Sequence, residues 1–216
     1  MHDEGEVIRA GFECKYHVVE SEAGALLDAV ARLLAPDPFG ATYDVASLYL
    51  DTPDLACYRR ELPGKWRLRR YGTDETVYAE FKAKPEPGHV HKRRSSLTLA
   101  EAALLPHGER PRWFVRAIGE HRLRPTRVIW YRRDAFVGEL EGEAVRLTLD
   151  REVMAIANDR YDVPVPAAHG VALTDGRILE LKFAQVMPRA LEAIVASLGL
   201  LPESFSKYRA AIEKTR

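Results

Sequence analysis

Several short segments of this sequence carry charged side chains at every second position. Arg67 and Arg69 flank Leu68, and Glu180 and Lys182 alternate with the apolar residues of segment 179–183. Successive side chains of a β-strand point to opposite faces, so the charged residues of each segment would share one face of a sheet. Arginine presents paired N–H donors to a phosphate and lysine presents a point charge. The pattern therefore predicts a surface that binds a polyanion, and a linear chain of phosphates suits several charged strands best.

The same alternation recurs along the chain and predicts one extended charged surface. A hairpin checks this prediction, because a loop at 72–75 would set Arg67 opposite Glu80 and Arg69 opposite Tyr78, so that both charged faces coincide. The further polar members of these faces are Glu13, Lys15, Ser47, Tyr49, Asp51, Lys82, Arg127, Tyr131, Arg133, Arg146, Thr148 and Asp150.

Two interpretations of this surface are open at this point. An antiparallel sheet often has one face in water, and charged residues there need no function. Against that interpretation, arginine and lysine dominate the face, and about eight hairpin-linked strands tend to curl and close. With helices covering the apolar faces, the charges would point into a barrel, where buried cations require partners or a bound anion.

The carboxylates of the same faces also have two interpretations. They are counter-charges that allow the empty barrel to fold, or they hold a divalent metal ion on phosphate oxygens. We favour the metal interpretation for Glu180 more than for the others, which are Glu13, Glu80 and Asp150.

Hydrophobic periodicity and turn residues predict the elements that would position these residues. The expected fold class is antiparallel α+β, an eight-stranded closed or nearly closed barrel with helices at its sides and ends. Ser21 is expected to cap the first helix. The predicted strands cover 7–16, 43–51, 65–71, 76–84, 89–97, 125–138, 143–151 and 177–184. The predicted helices cover 22–34, 54–61, 98–104, 111–118, 188–198 and 204–214, with turns or loops at 85–88 and 158–170.

Composition narrows the class of protein. The 216 residues carry 32 Lys and Arg against 32 Asp and Glu, so overall charge does not favour nucleic acid or membrane as a partner. No run of 18 apolar residues or signal peptide is apparent, and we expect one cytoplasmic domain over 1–216 with residues 1–6 flexible. Two cysteines exclude a disulfide framework, and the histidines lack zinc-site spacing.

The combination of short motifs resembles a VTC-type polyphosphate polymerase domain, within the CYTH or triphosphate tunnel metalloenzyme superfamily. Each motif is weak alone, but their number, order and strand parity are specific together. They are FECKY at 12–16, SLYLDT at 47–52, YRR at 58–60, WRLRRYG at 66–72, EFK at 80–82, KRR at 92–94, YRRDAF at 131–136, VRLTLD at 145–150, LELK at 179–182 and SKY at 206–208.

The resemblance implies an eight-stranded tunnel that grips a triphosphate or polyphosphate. It implies Mn²⁺ or Mg²⁺ on Glu180, with Glu13 as a second candidate ligand, and catalytic roles for Arg67, Arg69, Lys182 and Glu180. The choice between Arg59 and Arg60 is open, with Arg60 preferred, and so is the choice among Lys92, Arg93 and Arg94. The implied phosphate-binding residues are Lys15, Arg60, Arg67, Arg69, Lys82, Lys92, Arg94, Arg133, Arg146, Lys182 and Lys207.

The resemblance implies transfer of the γ-phosphoryl group of ATP to a growing polyphosphate chain. CYTH hydrolases begin with an E-x-E-x-K run, whereas this chain has Gly11 in the place of the first glutamate, which favours the VTC-like branch. Two alternatives remain: a metal-dependent tripolyphosphatase or nucleoside triphosphatase, and a non-catalytic module that binds polyphosphate or inositol polyphosphates.

Overall fold

One antiparallel sheet dominates the structure. The computed structural model describes residues 7–83, 89–164 and 170–215, and in these ranges the sheet has eleven strands. The strands are β1 (Val7–Ala10), β2 (Phe12–Val18), β3 (Ala35–Pro36), β4 (Thr42–Asp51), β5 (Lys65–Tyr71), β6 (Thr76–Ala83), β7 (His89–Thr98), β8 (Arg124–Leu140), β9 (Glu143–Ala157), β10 (Val171–Ala172) and β11 (Arg177–Phe183).

The predicted antiparallel fold with eight principal strands is confirmed, with one difference. Eight described strands have seven or more residues. The paired order β1-β7-β6-β5-β4-β8-β9-β11-β2 leaves the end strands β1 and β2 unpaired with each other, so the sheet is not closed. The predicted strand 7–16 is instead interrupted at Gly11, and its two parts pair with β7 and β11 respectively. The two ends of the sheet are thus joined by the chain rather than by a hydrogen-bonded ladder.

Helices flank the sheet, as the sequence predicts. The described helices are α1 (Glu20–Ala31), α2 (Ala56–Arg59), α3 (Leu99–Ala103), α4 (Arg112–His121), α5 (Arg189–Ser197) and α6 (Lys207–Lys214). The prediction that Ser21 caps α1 is wrong, because the N-cap is Val19 and Ser21 lies inside the first turn. Acidic side chains at Glu20 and Glu22 stabilise this earlier start by complementing the helix dipole.

Apolar side chains of the outer sheet face pack under the helices. On one side, Leu48 and Leu68 lie in a cluster with Phe114 of α4. On the other side, Leu147 and Leu179 lie in a cluster with helical residues, among them Leu26 and Leu191. Helical cover on both sides therefore directs the alternate, charged side chains toward the concave face.

Strand register brings the charged faces together. The β5–β6 pairing sets Arg67 opposite Glu80 and Arg69 opposite Tyr78, which confirms the register predicted from the hairpin loop. In the long β8–β9 hairpin, Arg133 lies opposite Asp150. This hairpin turns at Glu141 and Gly142, and both adopt left-handed backbone angles with φ of 55° and 81°. Strand β9 continues to Ala157, beyond the predicted end at 151.

Parts of the sequence-based predictions fall outside the described residues. These are the flexibility of 1–6, the turn at 85–88 and residues 165–169 of the loop at 158–170. Within the described ranges, no helix has both the length and the apolar character needed to cross a membrane.

Gly64 precedes β5 in a conformation that favours glycine, with φ of 88°. A Cβ atom there would approach the Phe81 ring on β6, lying 2.7 Å from Cζ. Gly142 has a similar φ of 81° but no neighbour within 4 Å of such an atom. We expect Gly142→Ala to cost about 1–2 kcal/mol in unfolding free energy from backbone strain. Gly64→Ala should cost about 1–3 kcal/mol more because of the steric overlap.

Urea denaturation of both glycine variants measures this difference. Equal losses of stability would show that Phe81 moves aside freely and would contradict the prediction.

Candidate functional site

Basic side chains from separate elements line a cavity of about 820 Å³ on the concave side of the sheet. They come from β2, β5, β6, β8 and β11, from the residue that ends α2, and from the start of α6. Among the described residues, the lining contains ten lysines and arginines but three glutamates, so positive charge is in excess. The basic residues are Lys15, Arg60, Lys65, Arg67, Arg69, Lys82, Arg133, Lys182, Lys207 and Arg209.

Glu80 lies at the centre of one group of cations. Its side chain is 1% exposed, and its carboxylate oxygens are 2.6 Å from Arg67, 3.1 Å from Arg94, 3.5 Å from Lys92 and 4.0 Å from Arg69. Burial raises the pKa of this carboxyl, but the surrounding cations outweigh burial and hold the pKa well below its usual range. Glu80 therefore remains an anion that compensates several arginines at once.

Asp150 and Glu180 form a second group. Arg133 donates two hydrogen bonds of 2.6 and 2.8 Å to the fully buried Asp150 carboxylate, and Lys207 lies 2.7 Å from it. Glu180 lies 3.1 Å from Lys15 and 3.3 Å from Lys207. Burial alone would lower the pKa of Lys207, but Asp150 and Glu180 raise it overall. The first residue of α6 is thereby held as a cation inside the sheet.

Glu13 and Lys182 also line the cavity. Glu13 is 3.1 Å from Lys82 and 3.4 Å from Lys15. Burial raises the pKa of Glu13, but Lys182 and Lys82 lower it to about 2 overall. Burial lowers the pKa of Lys182 to about 8, although Glu180 at 4.0 Å opposes the shift. Lys182 therefore loses its charge at a lower pH than an ordinary lysine does.

Tyrosine hydroxyls supplement these carboxylates. Arg67 donates a hydrogen bond of 3.2 Å to the Tyr49 hydroxyl, and Arg94 donates one of 3.1 Å to the Tyr71 hydroxyl. Burial raises both pKa values, but nearby arginines dominate and lower the pKa of Tyr49 to about 7 and that of Tyr71 to about 8. The field of the cations thus makes both phenols easier to ionise than an ordinary tyrosine.

The structure brings most of the predicted site residues together. Of the predicted phosphate-binding residues, those that line the cavity are Lys15, Arg60, Arg67, Arg69, Lys82, Arg133, Lys182 and Lys207. Lys92 and Arg94 lie behind this lining, against Glu80. Arg146 lies apart from the lining, because it donates to Asp37 at 2.9 Å and to the Tyr43 hydroxyl at 2.9 Å.

The positions left open by the sequence differ clearly in their surroundings. Arg60 lines the cavity, whereas Arg59 pairs with Asp54 at 2.6 Å on the exposed surface. Arg93 stacks over the Trp113 ring at 4.9 Å, on the helix-covered side of the sheet. Lys92 and Arg94 therefore lie on the opposite, concave face of the sheet, where both contact Glu80.

Two basic residues that line the cavity, Lys65 and Arg209, were not predicted from the sequence. Lys65 donates to Ser206 at 2.9 Å. Its alternation with Arg67 was a signal that could have identified it. Helix α6, whose first residue Lys207 was predicted to bind phosphate, packs against the inner face: Tyr208 stacks on Tyr49 with ring centroids 4.9 Å apart. No pattern in the sequence distinguished this inner packing from packing on an outer face.

The predicted metal ligands, Glu13 and Glu180, suit a metal site in which phosphate oxygens of the substrate supply the remaining ligands. Within the ranges described, no group of three or more histidine, cysteine or acidic side chains is placed to hold a metal ion. Glu13 and Glu180 both lie within 3.4 Å of the Lys15 ammonium group, so two carboxylates border the same part of the cavity. Mg²⁺ is commonly held by one or two carboxylates plus phosphate oxygens, and this pair suits that arrangement.

Comparison with known families and structures places this geometry in context. The family model of the VTC domain matches residues 11–216. No curated protein matches the chain at a significant level.

Solved structures share the fold at low sequence identity. A protein from Hippeastrum, studied as a candidate adenylyl cyclase and described with a dominant triphosphatase activity, is 15% identical with a TM-score of 0.58, covering 95% of this chain and 97% of that one. Candidate adenylate cyclases from Bacillus halodurans and Vibrio parahaemolyticus are 12% and 17% identical, with TM-scores of 0.56 and 0.52. Their alignments cover 92% and 94% of this chain and 95% and 97% of those chains. The expected triphosphate tunnel fold is confirmed.

Removing the charge of Glu80 should leave its arginines and lysine uncompensated. We expect Glu80→Gln to lower the unfolding free energy by about 3–5 kcal/mol, as for other broken buried ion pairs. Added tripolyphosphate should raise the melting temperature of this variant more than that of the wild type, because the ligand replaces the missing negative charge.

Thermal unfolding with and without tripolyphosphate measures both effects. Glu61→Gln is the control, since Glu61 pairs with Arg59 on the surface and its loss should change little. A Glu80→Gln protein as stable as the control would contradict the prediction.

Proposed function

The chain belongs to the VTC domain family, and on this premise we propose that it is a polyphosphate polymerase that uses ATP. It transfers the γ-phosphoryl group of ATP to the end of a polyphosphate chain. One observation carries the proposal: a cavity lined by ten basic side chains and three glutamates, which calls for a ligand with many negative charges in sequence.

The arrangement of the cations favours a linear phosphate chain over a single phosphate. Arg67 and Arg69 follow each other along β5, and Arg133 reaches the cavity from β8. Their guanidinium groups offer paired donors to successive phosphates, while Lys15 and Lys182 add point charges from β2 and β11. Cations on several walls hold a polyphosphate along its length.

The proposed reaction depends on positioning and charge stabilisation. A terminal oxygen of the polyphosphate chain attacks the γ-phosphorus of ATP, the bond from that phosphorus to the bridging β–γ oxygen breaks, and ADP leaves with the electron pair. Arg67, Arg69 and Lys182 stabilise the charge on the transferred group and the leaving oxygen. A bound Mn²⁺ or Mg²⁺ would neutralise phosphate oxygens, with Glu180 as its protein ligand and Glu13 beside it.

Hydrolysis of a triphosphate is the second candidate function. The Hippeastrum protein of similar fold is described with a dominant triphosphatase activity, which supports this alternative at the level of fold. In that reaction water replaces the polyphosphate oxygen as the attacking group, while the same cations bind the triphosphate.

One incubation distinguishes these functions. The protein is incubated with ATP and Mn²⁺, in parallel with tripolyphosphate and Mn²⁺, and the phosphate chains are resolved by length. Chains longer than the substrate identify a polymerase, and orthophosphate with shortened chains identifies a hydrolase. Retained but unchanged ligand identifies a binding module and would overturn both enzymatic proposals.

Removal of a charged side chain from the proposed site should abolish most turnover. We expect Arg67→Gln and Glu180→Gln each to lower the rate of chain elongation by about 100-fold or more, the usual loss for one transition-state contact. Arg70→Gln is the matched control, because Arg70 lies on the same strand but donates to the hairpin carbonyls of Thr73 and Asp74. Wild-type rates in both site variants would contradict the assignment.

Ligand affinity should weaken as pH rises through the pKa of Lys182, about 8. Deprotonation removes a positive charge from the cavity, and bound tripolyphosphate should raise the pKa of Lys182 by stabilising its charged form. For each pH unit by which the pKa in the complex exceeds the pKa in the free protein, the affinity for tripolyphosphate falls by about tenfold in total. Lys182→Arg keeps its charge to high pH and should show a smaller loss between pH 7 and 9.5.

Titration calorimetry at several pH values measures this difference. Tyr49 and Tyr71 add negative charge in the same range in both proteins, so the relevant result is the gap between the two profiles. Superimposable profiles would contradict the role of Lys182.

A further inference from the structure

Four aromatic rings gather at the end of β5 away from Lys65. Phe39, in the loop before β4, lies 4.9 Å from Tyr43 and 5.3 Å from Tyr71 between ring centroids. Tyr71 lies 5.8 Å from Tyr78 on β6. The rings meet edge to face, the favoured geometry for aromatic clusters. We call these four residues the aromatic collar.

Arginines border the aromatic collar on the concave face of the sheet. The Arg94 guanidinium lies 3.7 Å from the centroid of the Tyr78 ring and donates to the Tyr71 hydroxyl. Arg69, which lines the cavity, lies 5.9 Å from the Tyr71 ring. The inner face of β5 thus passes from cavity cations to aromatic rings without a break.

Asp37 holds the collar and a further arginine in fixed relation. One carboxylate oxygen accepts a hydrogen bond of 2.9 Å from the Phe39 backbone N–H, and the other accepts bonds of 3.0 and 2.9 Å from Arg146. Arg146 also donates to the Tyr43 hydroxyl. This explains why Arg146, predicted from its motif to bind phosphate, lies apart from the cavity lining: Asp37 and Tyr43 hold it beside the collar.

Phe39 combines a fixed position with an open surface. It contacts Tyr43 and Tyr71, yet 59% of the residue is exposed. Packing within the sheet would bury this ring, whereas a stacking platform must leave a face free.

We propose that the aromatic collar binds the base of a nucleoside triphosphate whose phosphates extend along β5 toward Arg69 and Arg67. The inference rests on the proposed function and locates the part of the same site that receives the base. Every base has a flat face that stacks on aromatic rings, and stacking of this kind tolerates different bases. From Tyr71 to Arg69 the strand advances by about 7 Å, a span suited to the ribose between base and phosphates.

The collar also gives the site a direction. A bare phosphate chain gains nothing from stacking, so the nucleotide occupies the collar end and the polyphosphate occupies the cavity beyond it.

Binding measurements with two ligands test the collar without depending on turnover. The affinities of wild type, Phe39→Ala and Phe39→Trp for ATP and for tripolyphosphate are measured by titration calorimetry. We expect Phe39→Ala to weaken ATP binding by about tenfold, the effect of losing one stacking contact, and to leave tripolyphosphate binding within about twofold. Phe39→Trp should retain ATP affinity.

Phe12→Ala is the matched control. Phe12 is 51% exposed and stacks on Phe183 at 5.7 Å, apart from the collar rings. Its loss should alter neither affinity.

The outcomes separate the two proposals. Equal weakening of ATP and tripolyphosphate in Phe39→Ala, or no weakening of either, overturns the collar inference and leaves the proposed function standing. A wild-type protein that binds neither ligand overturns the proposed function and the collar inference together.

Discussion

The cost of burying cations inside a curved sheet is the constraint on which this structure depends. An unpaired guanidinium or ammonium group in such a place costs several kcal/mol. The chain meets the cost with carboxylates on neighbouring strands: Glu80 lies opposite Arg67, and Asp150 lies opposite Arg133. The register that pairs the strands is therefore also the register that pairs the charges. A slip of one residue would move the arginines to the helix-covered face and the leucines to the cavity.

Helix α6 places a further buried cation beside carboxylate partners. Tyr208 donates a hydrogen bond of 2.6 Å to the fully buried Asp51, which also accepts from the backbone N–H groups of Cys57 and Tyr58. This carboxylate fastens α2 and α6 to the sheet, and α6 in turn places Lys207 between Asp150 and Glu180. Part of the concave face is thus filled by protein, and the remaining space is lined with charge.

Strand parity explains how much of this was predictable. Alternation alone identified the shared face of Arg67 and Glu80, because side-chain direction in a strand depends only on position. The surroundings of Arg146 depend instead on Asp37, more than a hundred positions away in sequence and in a loop, where parity has no meaning. The break at Gly11 and the inner packing of α6 likewise depend on the assembled sheet. Local patterns determine faces, whereas contacts between loops and strands require the folded chain.

The carboxylates of the concave face differ in whether a ligand in the cavity can reach them. Glu80 and Asp150 are 1% and 0% exposed and do not line the cavity, so they compensate their arginines whether or not a ligand is bound. Glu13 and Glu180 do line it, and both contact Lys15. Their partner Lys15 also lines the cavity, so these ion pairs are open to a ligand there. The buried pair thus maintains the fold, whereas the lining pair lies where an anion in the cavity would meet it.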